Sequence, residues 1–243
     1  MMVKIGYLYG DLLNLYGGYA NVDVLIKRLE ESGCDSEVIE YTVEKHTDIS
    51  ECDILICGCG TELSTLTALE DLRPERDTLA SMAEEGRYML FTGTSYGMLL
   101  DGITGLDGVT HEGLGIIKGN CVYDEKRRYS EFIMNCGLTA SKVLGCINTS
   151  STYKVEETLL FSISYDSASI LTGTSEGVQK GNVMATELQG PILWRNPDLL
   201  DSLASRLAGR TLERNTSTWR MHCDKGYGHL LNILEEAKKQ GRK

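Results

Sequence analysis

The sequence lacks several features that would assign it to a common class at once. No apolar run is long enough to span a bilayer, so membrane insertion is not expected. The start of the chain, Met1-Met2-Val3-Lys4-Ile5, leads directly into a predicted strand and does not have the layout of a signal peptide. These absences predict a cytoplasmic protein.

Positive charge is also scarce. The 24 lysines and arginines are outnumbered by 35 aspartates and glutamates, which gives a formal net charge of −11. Nucleic-acid binding depends on cations that neutralise phosphates and release counterions. We therefore expect no nucleic-acid partner.

Cofactor and metal motifs are missing as well. The glycines of the segment CGCG, residues 57–60, are not followed by a Walker lysine, and no complete Gly-x-Gly-x-x-Gly motif is present. The eight cysteines do not have zinc-finger spacing, since Cys57 and Cys59 are only one residue apart. We expect no cofactor, no metal, and reduced thiols that are mostly buried.

The sequence does contain an alternation of strand and helix patterns. Predicted strands cover Val3–Leu8, Asp35–Tyr41, 52–58 and Tyr88–Thr92. Apolar residues recur at helical spacing in 21–32, and Pro74 is expected to open a further helix. The alternation predicts an α/β fold with a mainly parallel, doubly wound sheet that has helices on both faces.

The second half of the chain has a different pattern. Short strand-like segments joined by turns predict a smaller antiparallel layer beside the main sheet. A late helix is expected after Asn196-Pro197, and a C-terminal helix from about Tyr227. No linker or repeat interrupts the chain, so residues 1–243 are expected to form a single domain.

The segment MLFTGTSYGMLL, residues 89–100, predicts a nucleophile elbow. A buried strand turns sharply at Gly93 into an apolar run, a shape that holds one side chain at the edge of a parallel sheet. The apex reads Gly93-Thr94-Ser95 and contains no cysteine. Ligands of open α/β sheets bind at this edge, where the predicted first and third strands also end.

Several segments, in this order, resemble class I glutamine amidotransferases of the cobyric-acid-synthase-like group, and in particular the GatD-type glutaminase subunit of lipid II isoglutaminyl synthase. The segments are YGDLLNLYGGYANVDVLIKRL, CDILICGCGTE, EGLGIIKGN and ELQGPILWRNPDLLD. The resemblance runs from about Ile5 to Leu207. It implies the three-layer, flavodoxin-like fold of class I amidotransferases.

The resemblance also implies a catalytic Cys–His pair, but both positions are substituted here. Gly93 stands where the nucleophile belongs, and Gln189 replaces the histidine that precedes Gly-Pro. Arg128 matches a family arginine implied in glutaminase function, with Arg127 as the alternative if the register slips. The further candidates for substrate binding are Gly58, Gly60 and Tyr96.

These substitutions remove the chemistry of the family. Its cysteine attacks the glutamine amide to form a glutamyl thioester and release ammonia, while the histidine moves the protons. Glycine has no attacking atom, and glutamine does not exchange protons near neutral pH. Gly93 suits a strained elbow, because glycine accepts a positive φ without steric cost. We expect no intact catalytic residue. The sequence does not decide whether the chain is an enzyme.

The lead hypothesis is a GatD-like subunit associated with a Mur-ligase-like (MurT-type) partner in the amidation of the peptidoglycan precursor lipid II. In this reading the chain lacks Cys–His glutaminase activity. One alternative is an active glutaminase with a displaced nucleophile, either Cys57 or Cys59, and the hydroxyls of Thr94 and Ser95 also lie on the elbow. Another is a non-catalytic sensor of glutamine or a related amino acid.

Overall fold

The protein is built on one 11-stranded sheet. A computed structural model describes residues 2–171, 173–214 and 216–241. The strands are β1 Met2–Leu8, β2 Asp35–Tyr41, β3 Ile54–Cys57, β4 Tyr88–Thr92, β5 Gly102–Thr104, β6 Thr110–Glu112, β7 Gly119–Cys136, β8 Thr139–Val155, β9 Thr158–Asp166, β10 Ser175–Lys180 and β11 Val183–Thr186. The helices are α1 Ala20–Glu30, α2 Glu62–Leu72, α3 Arg76–Glu84, α4 Ile192–Arg195, α5 Pro197–Leu207 and α6 Thr218–Lys239.

The first half of the sheet is parallel. Strands β2, β1, β3, β4 and β11 are neighbours in this order, and every adjacent pair among them runs parallel. This confirms the four predicted strands and their parallel arrangement. The mixed α/β fold class is confirmed as well.

Strand β3 shows why this half of the sheet is buried on both faces. Ile54 and Ile56 pack into the cluster that contains apolar residues of α1, α4 and α5. Leu55 and Cys57 alternate with them and pack on the other side, with α2 and α3. The continuous apolar run in the sequence is therefore the expected signature of a parallel strand that is covered on both sides.

The second half of the sheet consists mostly of antiparallel pairs. Strand β11 is followed by β10, β9 and β7, with antiparallel pairing at each of these contacts. The long strands β7 and β8 form an antiparallel ribbon. These strands are hydrogen-bonded to the same sheet as the parallel half, and the ribbon reaches the carboxyl edge where β3 and β4 end.

Two predicted helices begin elsewhere than expected. Pro74 lies in a short 3-10 turn, Arg73–Glu75, and α3 starts after it. The sequence pattern also missed α2, which begins after Thr61, whose hydroxyl accepts a hydrogen bond from the Ser64 N–H. The C-terminal helix begins at Thr218 instead of about Tyr227.

The early start of α6 has an electrostatic cause. Arg220 has no exposed surface, and its guanidinium contacts Asp198 and Asp201 of α5 as well as Asp224 one turn later. Asp201 also pairs with the buried Arg28 of α1. A buried guanidinium requires such partners, so the first turns of α6 are fixed against the domain. Among the described residues, no helix is long and apolar enough to cross a membrane.

Candidate functional site

A pocket of about 160 Å³ lies at the carboxyl edge of the parallel strands. It lies where the predicted elbow, the glycine-rich turn after β3 and the β7–β8 ribbon meet. The lining residues are Leu15, Tyr16, Cys59, Gly60, Thr61, Glu62, Thr94, Arg127, Asn148, Thr149, Ser150 and Gln189. The structure therefore brings together most of the segments that carry the family resemblance.

The elbow forms at the predicted position. Strand β4 ends at Thr92, Gly93 has a φ of +64°, and the chain continues as a 3-10 helix over Gly93–Leu99. A Cβ placed on Gly93 would lie 2.5 Å from both the Cβ and the Sγ of Cys59. The side chain of Cys59 therefore fills the space above the apex of the elbow.

Cys59 lines the pocket but is not activated. Only 2% of its surface is exposed, and burial raises the pKa of its thiol. Its sulfur makes long contacts, 3.6 Å to the Gly60 carbonyl oxygen and 3.9 Å to the Thr94 hydroxyl. Cys57 is fully buried, which raises the pKa of its thiol to about 12. Burial outweighs the charge of Arg127 at Cys59, and no cation among the described residues acts on Cys57, so neither thiol has the lowered pKa of a reactive cysteine.

The histidines lie elsewhere. His46 stacks on Tyr41 and contacts Asp71, and His111 lies near Glu70. His222 and His229 are in α6. Among the residues that line the pocket there is no histidine, and so no imidazole that could take a proton from Cys59.

Gln189 occupies one wall of the pocket. Its Nε2 donates a hydrogen bond of 2.9 Å to the carbonyl oxygen of Asn148. Its backbone N–H donates a hydrogen bond to the carbonyl oxygen of Cys146. The side chain is thereby fixed on strand β8. An amide in this position can orient a ligand, but it cannot act as a base.

The hydroxyl groups of the elbow form hydrogen bonds within the protein. Thr94 accepts the N–H of Gly60 at 2.9 Å and the hydroxyl of Thr65 at 2.7 Å. Ser95 is fully buried and donates to the carbonyl oxygens of Cys57 and Thr92. The Gly60 N–H is therefore not directed at a ligand. A Cβ on Gly58 would collide with the backbone of Leu13, so this glycine is required by close packing.

The two candidate arginines have different positions. Arg127 lines the pocket, where its guanidinium donates to the Asn148 carbonyl oxygen at 2.8 Å and contacts Glu62 at 3.2 Å. The guanidinium of Arg128 donates hydrogen bonds to the carboxylate of Asp124 and to the backbone carbonyl oxygen of Ser151. Of the two, Arg127 is the residue in the pocket.

Tyr96 is part of the core. It is 2% exposed and stacks on Tyr153 with 4.2 Å between the ring centroids. It does not belong to the lining of the pocket. Its match to the family segment therefore reflects packing behind the elbow.

Glu62 is a pocket residue that the sequence analysis did not single out. Burial acts to raise the pKa of its carboxyl, but the hydrogen bond from Ser150 and the charge of Arg127 outweigh burial and lower it. The position could have been found from the Thr61 cap, because the first residue of a helix after a strand end faces the same edge of the sheet. The pocket therefore contains one carboxylate and one guanidinium.

A buried pair of carboxyl groups was missed as well. Glu176 accepts hydrogen bonds of 2.6 Å from the Thr186 hydroxyl and from the backbone N–H of Glu187. Burial raises the pKa of Glu176 to about 7. Burial, with the charge of Glu176, raises the pKa of Glu187 to about 8. Neither glutamate lies in a motif with a recognisable spacing.

A parallel sheet with a sharp elbow and a pocket at its carboxyl edge defines an α/β protein with a candidate ligand site at that edge. The profile of the CobB/CobQ-like glutamine amidotransferase domain matches residues 4–197, and the chain belongs to this family.

The chain is similar to several known proteins. It is 24% identical over 208 residues to the lipid II isoglutaminyl synthase (glutamine-hydrolyzing) subunit GatD of Staphylococcus aureus (strain N315), covering 86% of this chain and 85% of the relative. A solved structure described as a glutamine amidotransferase shares the fold, with a TM-score of 0.57 and 20% identity, over 84% of this chain and 98% of that one.

Proposed function

We propose that this chain is a GatD-like, cytoplasmic subunit that takes part in the amidation of lipid II without a Cys–His glutaminase of its own. Its family and its similarity to a GatD subunit support the first part. The second part is supported by the family resemblance, which assigns the nucleophile and base positions to Gly93 and Gln189, and by Cys59, whose side chain fills the space above Gly93.

The proposed partner is a Mur-ligase-like (MurT-type) subunit. In the resembling family this partner activates the D-glutamate carboxyl of lipid II with ATP and receives ammonia. A subunit without a nucleophile has no route through a glutamyl thioester. The proposed complex therefore uses free ammonia, and this chain acts as a scaffold or regulator of the ligase.

Reconstitution with the partner tests this function. The chain and a MurT-type ligase are mixed with lipid II and ATP, and amidated product is measured with glutamine or with ammonium as the only nitrogen source. We expect product with ammonium and almost none with glutamine. Glutamate release at enzymatic rates, abolished by Cys59→Ala but not by Cys146→Ala, would instead establish a displaced nucleophile.

Sensing of an amino acid is the second candidate function. Glu62 and Arg127 place opposite charges in one pocket, as a zwitterionic α-amino acid requires. Calorimetry with glutamine distinguishes the candidates, because a sensor binds glutamine without turnover. Arg127→Ala should then abolish binding, and Arg206→Ala, on the exposed side of α5, serves as a control.

A further inference from the structure

Cys59 lines the pocket but is almost inaccessible from it. Only 2% of its surface is exposed, although it belongs to the lining of a pocket of about 160 Å³. A molecule larger than water can therefore reach its sulfur only if part of the pocket wall moves. The part that moves must lie against Cys59 and be weakly held on its other side.

The Tyr16 segment, residues 15–18, lies against Cys59 and forms one wall of the pocket. The N–H of Leu15 donates a hydrogen bond of 2.8 Å to the Cys59 carbonyl oxygen. Leu15 and Tyr16 both line the pocket. The segment is a short 3-10 turn followed by Gly18, and it lies just before α1. It is therefore placed to cover or to expose Cys59.

The backbone of this segment has a conformation that tyrosine rarely adopts. Tyr16 has a φ of 61° and a ψ of 20°, in the left-handed region that is unfavourable for a residue with a Cβ. Gly17 follows with a φ of 75°, and Gly18 comes next. Strain of this kind persists only where surrounding contacts hold it. The two glycines allow the chain to pivot when such a contact is lost.

The contact that holds Tyr16 crosses the pocket. Its hydroxyl accepts a hydrogen bond of 3.2 Å from the side-chain amide of Asn148, which lies on β8 and also lines the pocket. The backbone of Asn148 is fixed, because Gln189 and Arg127 both donate to its carbonyl oxygen. Tyr16 is 49% exposed, and a hydrogen bond between exposed groups is weak. The segment is therefore the movable side of this bridge.

We propose that the Tyr16 segment is a strap that closes the pocket through the hydrogen bond between Tyr16 and Asn148. In the closed state, the strap and β8 enclose the pocket and shield Cys59. Loss of the hydrogen bond allows Tyr16 to leave its strained φ and moves its side chain away from the pocket. The strap thereby controls the entry and release of any ligand of the pocket. The inference concerns access to the pocket and does not depend on a role in lipid II amidation.

Alkylation of Cys59 measures how often the strap opens. The folded, isolated chain is treated with iodoacetamide at mildly alkaline pH, and the labelled cysteines are assigned by tandem mass spectrometry. Tyr16→Phe keeps the ring but removes the acceptor, so Cys59 should be labelled about two- to tenfold faster, the factor by which one hydrogen bond shifts an equilibrium. Asn148→Ala removes the donor and should have a similar effect. The double variant should add little to either.

A change at Gly18 should act in the opposite direction. Gly18 has a φ of −55°, which alanine accepts, and a Cβ there would have no neighbour nearer than 3.7 Å. Gly18→Ala therefore removes one pivot without introducing strain. We expect it to slow the labelling of Cys59.

Two thiols and a tyrosine serve as matched controls. Cys57 is fully buried two residues before Cys59, so it reports unfolding of the whole domain. Cys146 is partly exposed outside the pocket lining and corrects for the amount of reagent. Tyr19 is as exposed as Tyr16 but does not line the pocket, so Tyr19→Phe should leave the labelling rate unchanged.

Three outcomes would overturn the proposal. The first is an unchanged rate at Cys59 in both Tyr16→Phe and Asn148→Ala. The second is an equal increase at Cys57 and Cys59, because the hydrogen bond would then stabilise the whole domain and not a strap. The third is an increase in Arg127→Ala alone, because access would then depend on the guanidinium whose charge acts on Cys59.

Discussion

Cys59 and Gly93 share a space that holds one side chain. A Cβ on Gly93 would lie 2.5 Å from both side-chain atoms of Cys59, and Cys59 follows β3, the strand that pairs with β4. The thiol of Cys59 therefore lies beside the elbow apex, at the end of the neighbouring strand. The two positions should therefore behave as a coupled pair.

Stability measurements should reveal this coupling. Gly93→Ala is expected to cost about 1 kcal/mol for the positive φ and about 1–3 kcal/mol more for the collision with Cys59. In the Cys59→Gly background only the first cost remains. A double-mutant cycle from urea unfolding should therefore give a coupling of about 1–3 kcal/mol. Strictly additive changes would show that the two side chains do not compete.

Restoration of glutaminase activity should depend on the same contact. Gly93→Cys with Gln189→His places a thiol and an imidazole at the positions that the family resemblance assigns to the nucleophile and the base, but Cys59 obstructs the new side chain at 93. We expect glutamate release only when Cys59→Gly is added, at a rate below that of a working family member. Omission of either Gln189→His or Gly93→Cys should abolish the gain, since thiol and base act as a unit. Equal activity with and without Cys59→Gly would contradict this expectation.

The pH dependence of stability should reflect Glu187. Its pKa rises from 4.5 to about 8 on folding, so the folded state binds more protons than the unfolded state between these values. Stability should therefore decrease as the pH rises through this interval. Glu187→Gln should lessen this decrease, with the contribution of Glu176 remaining, and should be more stable than the wild type above pH 8, by roughly 2–4 kcal/mol.

Chemical unfolding of both proteins over this pH range measures the difference. Glu176 and Arg128 act on the same carboxyl, and Arg128 lowers its pKa, so Arg128→Met should extend the decrease in stability to higher pH. A pH profile that Glu187→Gln leaves unchanged would show that this glutamate does not titrate in that interval.

The two neighbouring arginines should differ in their effect on stability. The side chain of Arg128 is 23% exposed and holds the Ser151 carbonyl, whereas that of Arg127 is 51% exposed at the pocket. Arg128→Ala should cost about 1–3 kcal/mol, since it leaves partly buried acceptors unpaired. Arg127→Ala should cost less than about 1 kcal/mol. Thermal and urea unfolding would contradict this assignment if the order were reversed.

The parallel half of the fold was predictable because its signals are local. The apolar run of β3 and the helical spacing before β2 each point to a single structure, and the elbow was recognisable from Gly93 at the end of a strand. The start of α6 was not predictable, because it depends on Arg220 meeting Asp198 and Asp201, which lie about 20 residues away along the chain.

The sequence predicted which segments form the pocket, but not which side chains line it. The elbow and the glycine-rich turn, which were expected at this edge of the sheet, do meet there, and Gln189 lies beside them. Which arginine enters the pocket depends on the pleat of β7, where neighbouring residues point to opposite faces. The contact between Cys59 and Gly93 depends on the distance between two strand ends, which no sequence motif encodes.

The shared space of Cys59 and Gly93 also limits which sequence changes the elbow tolerates. A Cβ at position 93 collides with Cys59, so a single substitution that adds a side chain at 93 is sterically disfavoured. A cysteine at the apex of this elbow therefore requires two coordinated substitutions, one at position 93 and one at position 59.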